Sequence, residues 1–416
     1  MAEVAMTVED ACVLARDCHA RGDREQAESL LATALRHLDD RIDLLYQLGN
    51  VAIDTDARLD EVFDWLRESP AARAHPSYLY SMAVLCERRN DPPQGLAYIE
   101  QALARFDDPL HLAMKSHLLW HAGDIAGGYA TYEAYRKAYM DPQSTIPLPR
   151  WQGEDIGGKT ILLQPEQGIG DTVQHLRFAE AVAARGARVV ALVQPQLTRL
   201  AATVPGIDGV LGGTAGFAGI DIYSPVLALP HVLKLGADDL APRIPYMTAP
   251  EVARARWRGR IAPGPLNIGV VWSGNPLFLN NHRRSLPLTA LAPLAALPGA
   301  RLYSLQCGDA ARDIAAAPFA LEDLGAEVAD FADTAALMEQ LDLVVTMCTS
   351  ACHVAGALGC PTLLLLSNWA DGRWMIDRHD TPWYPNTRLV RQGRGEDWHD
   401  TVTRAAELLE KDGRRQ

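Results

Sequence analysis

VVTMCTSACHVAGALGCPTLLLL, residues 344–366, is the stretch whose reading decides the fold. The apolar run from Leu343 to Met347 predicts a buried strand that delivers Thr349 and Ser350 to a helix start. Ala351, Ala355, Gly356, Ala357 and Gly359 are small enough for that helix, 350–358, to lie close to its neighbours. Gly359 ends it, Pro361 follows, and 361–366 reads as a second strand. A helix N-terminus with free backbone N–H groups and hydroxyl side chains is a ready anion site. The segment therefore predicts strand, phosphate-type helix start, strand.

Outward from this unit, the pattern from residue 158 alternates between strands and helices. Strands are expected at Thr160–Gln164, Arg188–Val193, Gly209–Leu211 and Ile220–Ser224, with helices at 172–185 and Gln196–Thr203. A second set starts at Leu266, with strands at 266–272, 301–305, 326–329, 342–347 and 361–366. Helices at 288–296, 310–316, 333–340, 350–358 and 397–410 accompany it. Such alternation implies two parallel, doubly wound α/β halves, 158–262 and 263–416, joined near 245–265. Ligands of such sheets bind beyond the carboxyl ends of the strands.

Three loops at those ends carry candidate chemistry. PEQGIGDTVQH, 165–175, has Gly168 and Gly170 but lacks the third glycine of a dinucleotide fingerprint. Its Asp171 sits in the first turn of a helix, where the dipole favours the ionised form. It reads either as an acceptor-side base or as a helix cap, with Glu166 a loop residue. GVVWSGNPLFLNNHRRSLPL, 269–288, brings Ser273, Gly274 and Asn275 to a turn and then Arg283 and Arg284, whose fixed donor fork suits a diphosphate. Ser304-Leu305-Gln306 ends a neighbouring strand, and the Gln306 amide could read a nucleobase edge.

Residues 8–140 follow a different rule. Leu14-Ala15, Leu48-Gly49 and Met82-Ala83 are spaced by 34, as are Ala27, Glu61 and Gly95, and Leu31, Trp65 and Ile99. Ala34 and Ala102 share the register, and Trp120, Gly123 and Tyr132 fall in a fourth, slightly displaced copy. The period and the paired helices resemble tetratricopeptide repeats, in which each helix pair buries its stripe only against the next. Such an array, 1–143, is expected to dock a protein or to act as a structural platform. Residues 144–157, with Ile146-Pro147-Leu148-Pro149, read as a linker.

Composition narrows the function classes. The net charge is −13, with 15 basic against 24 acidic residues in the first 150, so a nucleic-acid binder is not expected. No apolar run is long enough to span a membrane. Acids near the N-terminus argue against a signal peptide, and seven cysteines without framework spacing favour a reducing cytoplasm. Cys348 and Cys352-His353 are one residue too far apart for haem attachment and read as small buried thiols.

EQGIGDT (166–172), GVVWSGNP (269–276), RRSLPL (283–288), YSLQ (303–306), TSACHVAGALGCP (349–361), DTPWYP (380–385) and RLVRQG (388–393) together carry a resemblance. The chain looks like bacterial tetratricopeptide-repeat proteins fused to a GT-B glycosyltransferase. That module is similar to the ADP-heptose lipopolysaccharide heptosyltransferases and, more distantly, to O-GlcNAc transferase. The resemblance implies metal-independent transfer of a sugar from a nucleotide-diphosphate donor to a hydroxyl, with no cofactor. It implies a protein acceptor held by the repeats, and it is compatible with an oligomer. Asp171 and His353 would be catalytic. Gly168, Gly170, Ser273, Asn275, Arg284, Gln306, Cys348, Thr349, Ser350 and Asp371 would hold the nucleotide sugar. Asp54-Thr55-Asp56 lies in the helical array, away from any strand end. Two departures stand out: Cys348 replaces the family's acidic residue, and Gly372 replaces an aromatic one. They leave open a binding or scaffold protein on the same fold.

Overall fold

The computed structural model describes residues 7–21, 23, 26, 27, 29, 30 and 33, and 58–413 without 214, 215, 242, 279 and 280. It divides into two compact units. One comprises residues 1–144 with Asp371–Ile376, and the other comprises 145–370 with 377–416.

The first unit is helical. Among the described residues its longer helices are α1 (Val8–Ala20), α2 (Leu59–Glu68), α3 (Tyr78–Arg88), α4 (Pro92–Leu103), α5 (Pro109–His121) and α6 (Ile125–Tyr135). The last three start alike. Asp91, Asp108 and Asp124 each accept a backbone N–H from the first turn, at 3.1, 2.9 and 2.8 Å. Proline at the first helical position of α4 and α5 lacks an N–H that would have no partner there. Met82, Ala83, Ile99 and Ala102 are fully buried, whereas Leu14, at the register position of Met82, is 40% exposed. Gly95 is small because a Cβ there would stand 2.7 Å from Leu118 Cδ2 and 3.2 Å from Cys86 Cβ. Glu61, at the equivalent register position, stays outside and bonds Arg58 at 2.6 Å. Leu31, Ala34, Leu48-Gly49 and Asp54-Thr55-Asp56 lie outside the described residues. Asp371–Ile376 packs on α5: Ile376 N–H donates to His121 O, and a Cβ on Gly372 would meet His121 and the His117 carbonyl.

The second unit holds two all-parallel sheets. The four-stranded one is ordered β3-β2-β1-β4, from β1 (Thr160–Gln164), β2 (Arg188–Val193), β3 (Gly209–Gly212) and β4 (Ile222–Pro225). The six-stranded one is ordered β10-β9-β8-β5-β6-β7. Its strands are β5 (Leu266–Val271), β6 (Ala300–Ser304), β7 (Leu321–Asp323), β8 (Leu343–Met347), β9 (Thr362–Leu366) and β10 (Thr387–Arg391). Both orders reverse direction once, between β1 and β4 and between β5 and β8, as in doubly wound nucleotide-type folds. Every residue of β8 and β9 is buried, which is why both read as unbroken apolar runs. Each fully buried Leu or Val there contributes about 1.5–3 kcal/mol. Around them close α7 (Ile169–Leu176), α8 (Glu251–Trp257), α9 (Phe331–Met338), α10 (Ser350–Leu358) and α11 (Trp398–Gly413). Trp398, Val402, Ala405 and Ala406 of α11 complete the core of the six-stranded sheet.

Several expectations change. The helix read over 172–185 ends at Leu176 and resumes as Ala179–Ala183, with buried Arg177 and Phe178 between the two. The strand expected at 326–329 is a 3₁₀ turn, and the third strand is Leu321–Asp323. Gly325 there lies so close to Gln306 that a Cβ would sit 2.1 Å from its carbonyl oxygen. Residues 309–316 form a 3₁₀ helix, not an α-helix. β10 and α8 were not anticipated, since charges interrupt both. The stretch 144–157 is not a loose tether: Trp151 is fully buried, and Pro149–Trp151 bonds along β4 through Tyr223.

Carboxylates and arginines tie the two halves of this unit. Asp333 is fully buried and accepts from Arg199 at 2.9 Å, from Ala329 N–H at 3.1 Å and from Arg256. Arg199 also forks onto Asp330, both bonds 2.6 Å, and Arg254 of α8 forks onto Glu339.

Candidate functional site

The carboxyl ends of β1, β5 and β8 bring most of the predicted residues into one neighbourhood. The starts of α7 and α10 meet there. A Cβ built on Gly170 would lie 2.6 Å from His353 Cδ2 and 3.5 Å from Ser350 Cα. The close approach of two helices therefore requires a glycine at 170.

The two helix starts differ. At α7, the third helical residue Asp171 bonds back through Oδ2 to the Gly168 N–H at 2.9 Å, which places a carboxylate in the first turn. At α10, Thr349 occupies the cap position with extended backbone, yet its hydroxyl makes no cap bond. Thr349 Oγ1 is buried without a hydrogen-bond partner among the described residues. An orphaned buried hydroxyl costs about 1–3 kcal/mol, so a polar occupant at this helix start would relieve it.

Arg284 stands beside this start. It donates from Nη1 to Cys348 O at 2.8 Å and from Nε to Asn281 Oδ1 at 3.2 Å, and its guanidinium lies 4.4 Å from the Phe278 ring centre. Gly274 leaves the space. A Cβ there would approach Asn281 Oδ1 at 2.5 Å, Arg284 Nη2 at 2.7 Å and Thr349 Cγ2 at 3.0 Å. Gly274, Arg284, Thr349 and Ser350 thus lie together and bring a cation to a helix N-terminus, with the Thr349 methyl facing Gly274. Asn275 is exposed at its edge and accepts the Leu277 N–H at 3.0 Å; Leu277 is 90% exposed.

Other expected roles change. Gln306 is buried, and its Oε1 accepts the N–H groups of Trp272 and Ser273 at 3.1 and 2.9 Å. Its Nε2 donates to Cys307 O, so the amide shapes the turn after β5 instead of facing a base. Ser273 Oγ lies 3.2 Å from Ser285 Oγ. His353 is 3% exposed, and its Nδ1 meets the Tyr384 hydroxyl at 2.9 Å. It is a packing residue between helices, so the catalytic expectation is withdrawn. Cys348 contributes its carbonyl to Arg284, while Cys352 donates from Sγ to Thr349 O. Asp371 belongs to the helical unit and pairs with Arg373 at 2.9 Å. Burial would raise its carboxyl, but Arg373 outweighs that and holds it well below the usual range.

Sequence reasoning missed Arg177, Tyr246 and Tyr384. Arg177 is buried, and neither its type nor its spacing marks it out; only the fold assembles its acceptors. Among the described residues, no group of three or more His, Cys, Asp or Glu is arranged to hold a metal ion. None of their helices is long and apolar enough to cross a membrane.

Together these features define a helical unit joined to two parallel α/β sheets, with Arg284 set against a helix start at a strand-order switch. No family model matches the chain. Protein FlbA of Caulobacter vibrioides is 27% identical over 353 residues, covering 76% of this chain. The chain spans only 58% of that curated relative's length. Among solved structures, a glycosyl transferase family 9 protein from Veillonella parvula is 12% identical with a TM-score of 0.48, covering 62% of this chain and 99% of its own. E. coli ADP-heptose lps heptosyltransferase II is 15% identical with a TM-score of 0.45, covering 61% and 98%. An O-GlcNAc transferase mutant from Thermobaculum terrenum is 15% identical with a TM-score of 0.31, covering 100% and 94%. At such identities and superpositions these likenesses carry no weight for the site, which stands on its own geometry.

Proposed function

We propose that the chain is a glycosyltransferase that moves a sugar from a nucleotide-diphosphate donor to a hydroxyl acceptor. The observation that carries this reading is the start of α10, where Thr349, its hydroxyl without a partner, lies across Gly274 from Arg284. In the proposed reaction the acceptor oxygen attacks the anomeric carbon as the bond to the leaving phosphate oxygen breaks. Arg284 and the helix start receive the charge that develops on the diphosphate. Asp171, in the first turn of the adjoining helix, takes the acceptor proton. The helical unit presents the acceptor, which we take to be a protein, and the chemistry draws on this chain's residues without a metal.

Calorimetry with nucleoside diphosphates on the full chain, followed by donor-sugar release, tests this. Micromolar binding of one of them is expected, with Asp171→Asn keeping the affinity and losing at least about 100-fold in turnover. Absence of binding by every nucleoside diphosphate would leave a binding or scaffold protein. Unchanged turnover in Asp171→Asn would remove that residue from the mechanism. Removing residues 1–145 should depress transfer to protein more than transfer to a small hydroxyl acceptor. An equal loss for both would make the repeats structural.

A further inference from the structure

Arg177 is a buried cation with no carboxylate among its hydrogen-bond partners. It is 4% exposed and donates from Nε to Gln174 O at 2.7 Å. Nη1 donates to Leu240 O at 2.6 Å and Trp383 O at 2.7 Å, and Nη2 to the Tyr246 hydroxyl at 3.3 Å. Its guanidinium lies 4.6, 4.8 and 5.3 Å from the ring centres of Tyr384, Tyr246 and Trp383. Tyr246 in turn donates to Val173 O at 3.0 Å. Desolvating a cation this completely is costly, and only carbonyls, a hydroxyl and ring faces offset it here. A lysine has neither the planar fork nor the reach to replace it.

The partners of Arg177 form a closed circuit. Arg177 follows the last residue of α7 and holds Tyr384. The Tyr384 hydroxyl meets His353 Nδ1 on α10, and its ring occupies the space that a Cβ on Gly356 would need, 2.3 Å away. His353 packs on Gly170, in the first turn of α7. Both ends of α7 are therefore tied to α10 through one path: Arg177, Tyr384, His353, Gly170. Asp171 and Thr349 sit at the two helix starts this path brings together.

We infer that Arg177 is a positioning residue: acting through Tyr384 and His353, it sets how the Asp171 helix seats against α10. The seating itself follows from the contacts, and only its purpose rests on the glycosyl-transfer reading.

Hydrogen exchange on the full chain, without nucleotide, tests the inference independently of that reading. In Arg177→Ala, exchange should rise about ten-fold both in 169–176 and in 350–358, a helix Arg177 does not itself bond. Low-millimolar methylguanidinium should restore protection in both segments, and Arg177→Lys should remain unprotected. Should Arg177→Ala not fold, Tyr384→Phe keeps the ring packing and removes only the hydroxyl. It should raise exchange at 350–358 about three-fold and shift the His353 imidazole signals. Unchanged exchange at 350–358 in either variant, or full protection in Arg177→Lys, would overturn the inference and leave Arg177 as a cap of its own helix. Loss of nucleotide binding with the exchange pattern as expected would count only against the transferase reading.

Discussion

The α/β unit contains the same device twice, and the two copies are finished differently. In each half a strand at the switch point feeds a helix that starts toward the other half. At α7 the third helical residue is Asp171, whose carboxylate already accepts the Gly168 N–H. At α10 the cap residue is Thr349, whose hydroxyl accepts nothing, with Arg284 alongside. The first start is closed to an anion by its own charge, and the second is left open. The two helix starts thus differ in whether a carboxylate already stands in their first turn.

Substitutions can break this contrast. The largest effect is expected from Arg284→Met, which removes the cation and leaves the helix start in place. Nucleoside-diphosphate affinity should fall about 10–100-fold by calorimetry, the value of a charge-assisted hydrogen bond. A fall below two-fold would shift the anion site away from α10. Gly170→Ala presses a methyl onto His353 and should cost about 1–3 kcal/mol, read as a lowered denaturant midpoint. Wild-type stability in that variant would mean the two helix starts are not in contact.

Thr349→Val makes the contrast sharper. It removes the orphaned hydroxyl, so stability without ligand should hold or rise by about 1 kcal/mol while affinity falls. Loss of both stability and affinity would show that the hydroxyl has a partner within the protein. The smallest effect concerns the tie between the halves. Burial raises the Asp330 carboxyl, but the Arg199 fork outweighs it and holds the group below its ordinary value. A lowered carboxylate stabilises fully above its unfolded value, about pH 4, and that contribution is lost as pH falls further. Arg199→Gln, which also removes a donor to Asp333, should cost at least about 0.5–1 kcal/mol near pH 7, and the difference from wild type should shrink as pH falls below about 4. A constant difference across that range would mean that Asp330 does not sense Arg199.

The strand–helix–strand unit at 344–366 was legible because parallel strands buried on both faces read as apolar runs, and because glycine and proline punctuate the helix. α10 spans Ser350–Leu358, the interval the pattern predicts. β7 and β10 were less legible, since edge strands carry charge and lack the apolar signal. The residues around the α10 start were legible as types: a hydroxyl at a helix start, glycine in a turn, arginine in an acidic chain.

Composition and periodicity by themselves determined where the buried strands and the α10 start fall, because these follow from local propensity and the burial pattern. Which polar side chains remain unmatched was decided only by the tertiary structure. Gln306 was drawn into a turn, His353 into a helix contact and Asp371 into the helical unit, while Thr349 was left over. Hydrogen-bond partners come from chain segments far apart in sequence, as Leu240 and Trp383 do for Arg177. No local pattern encodes them, and they separate a residue available to a ligand from one that holds the fold together.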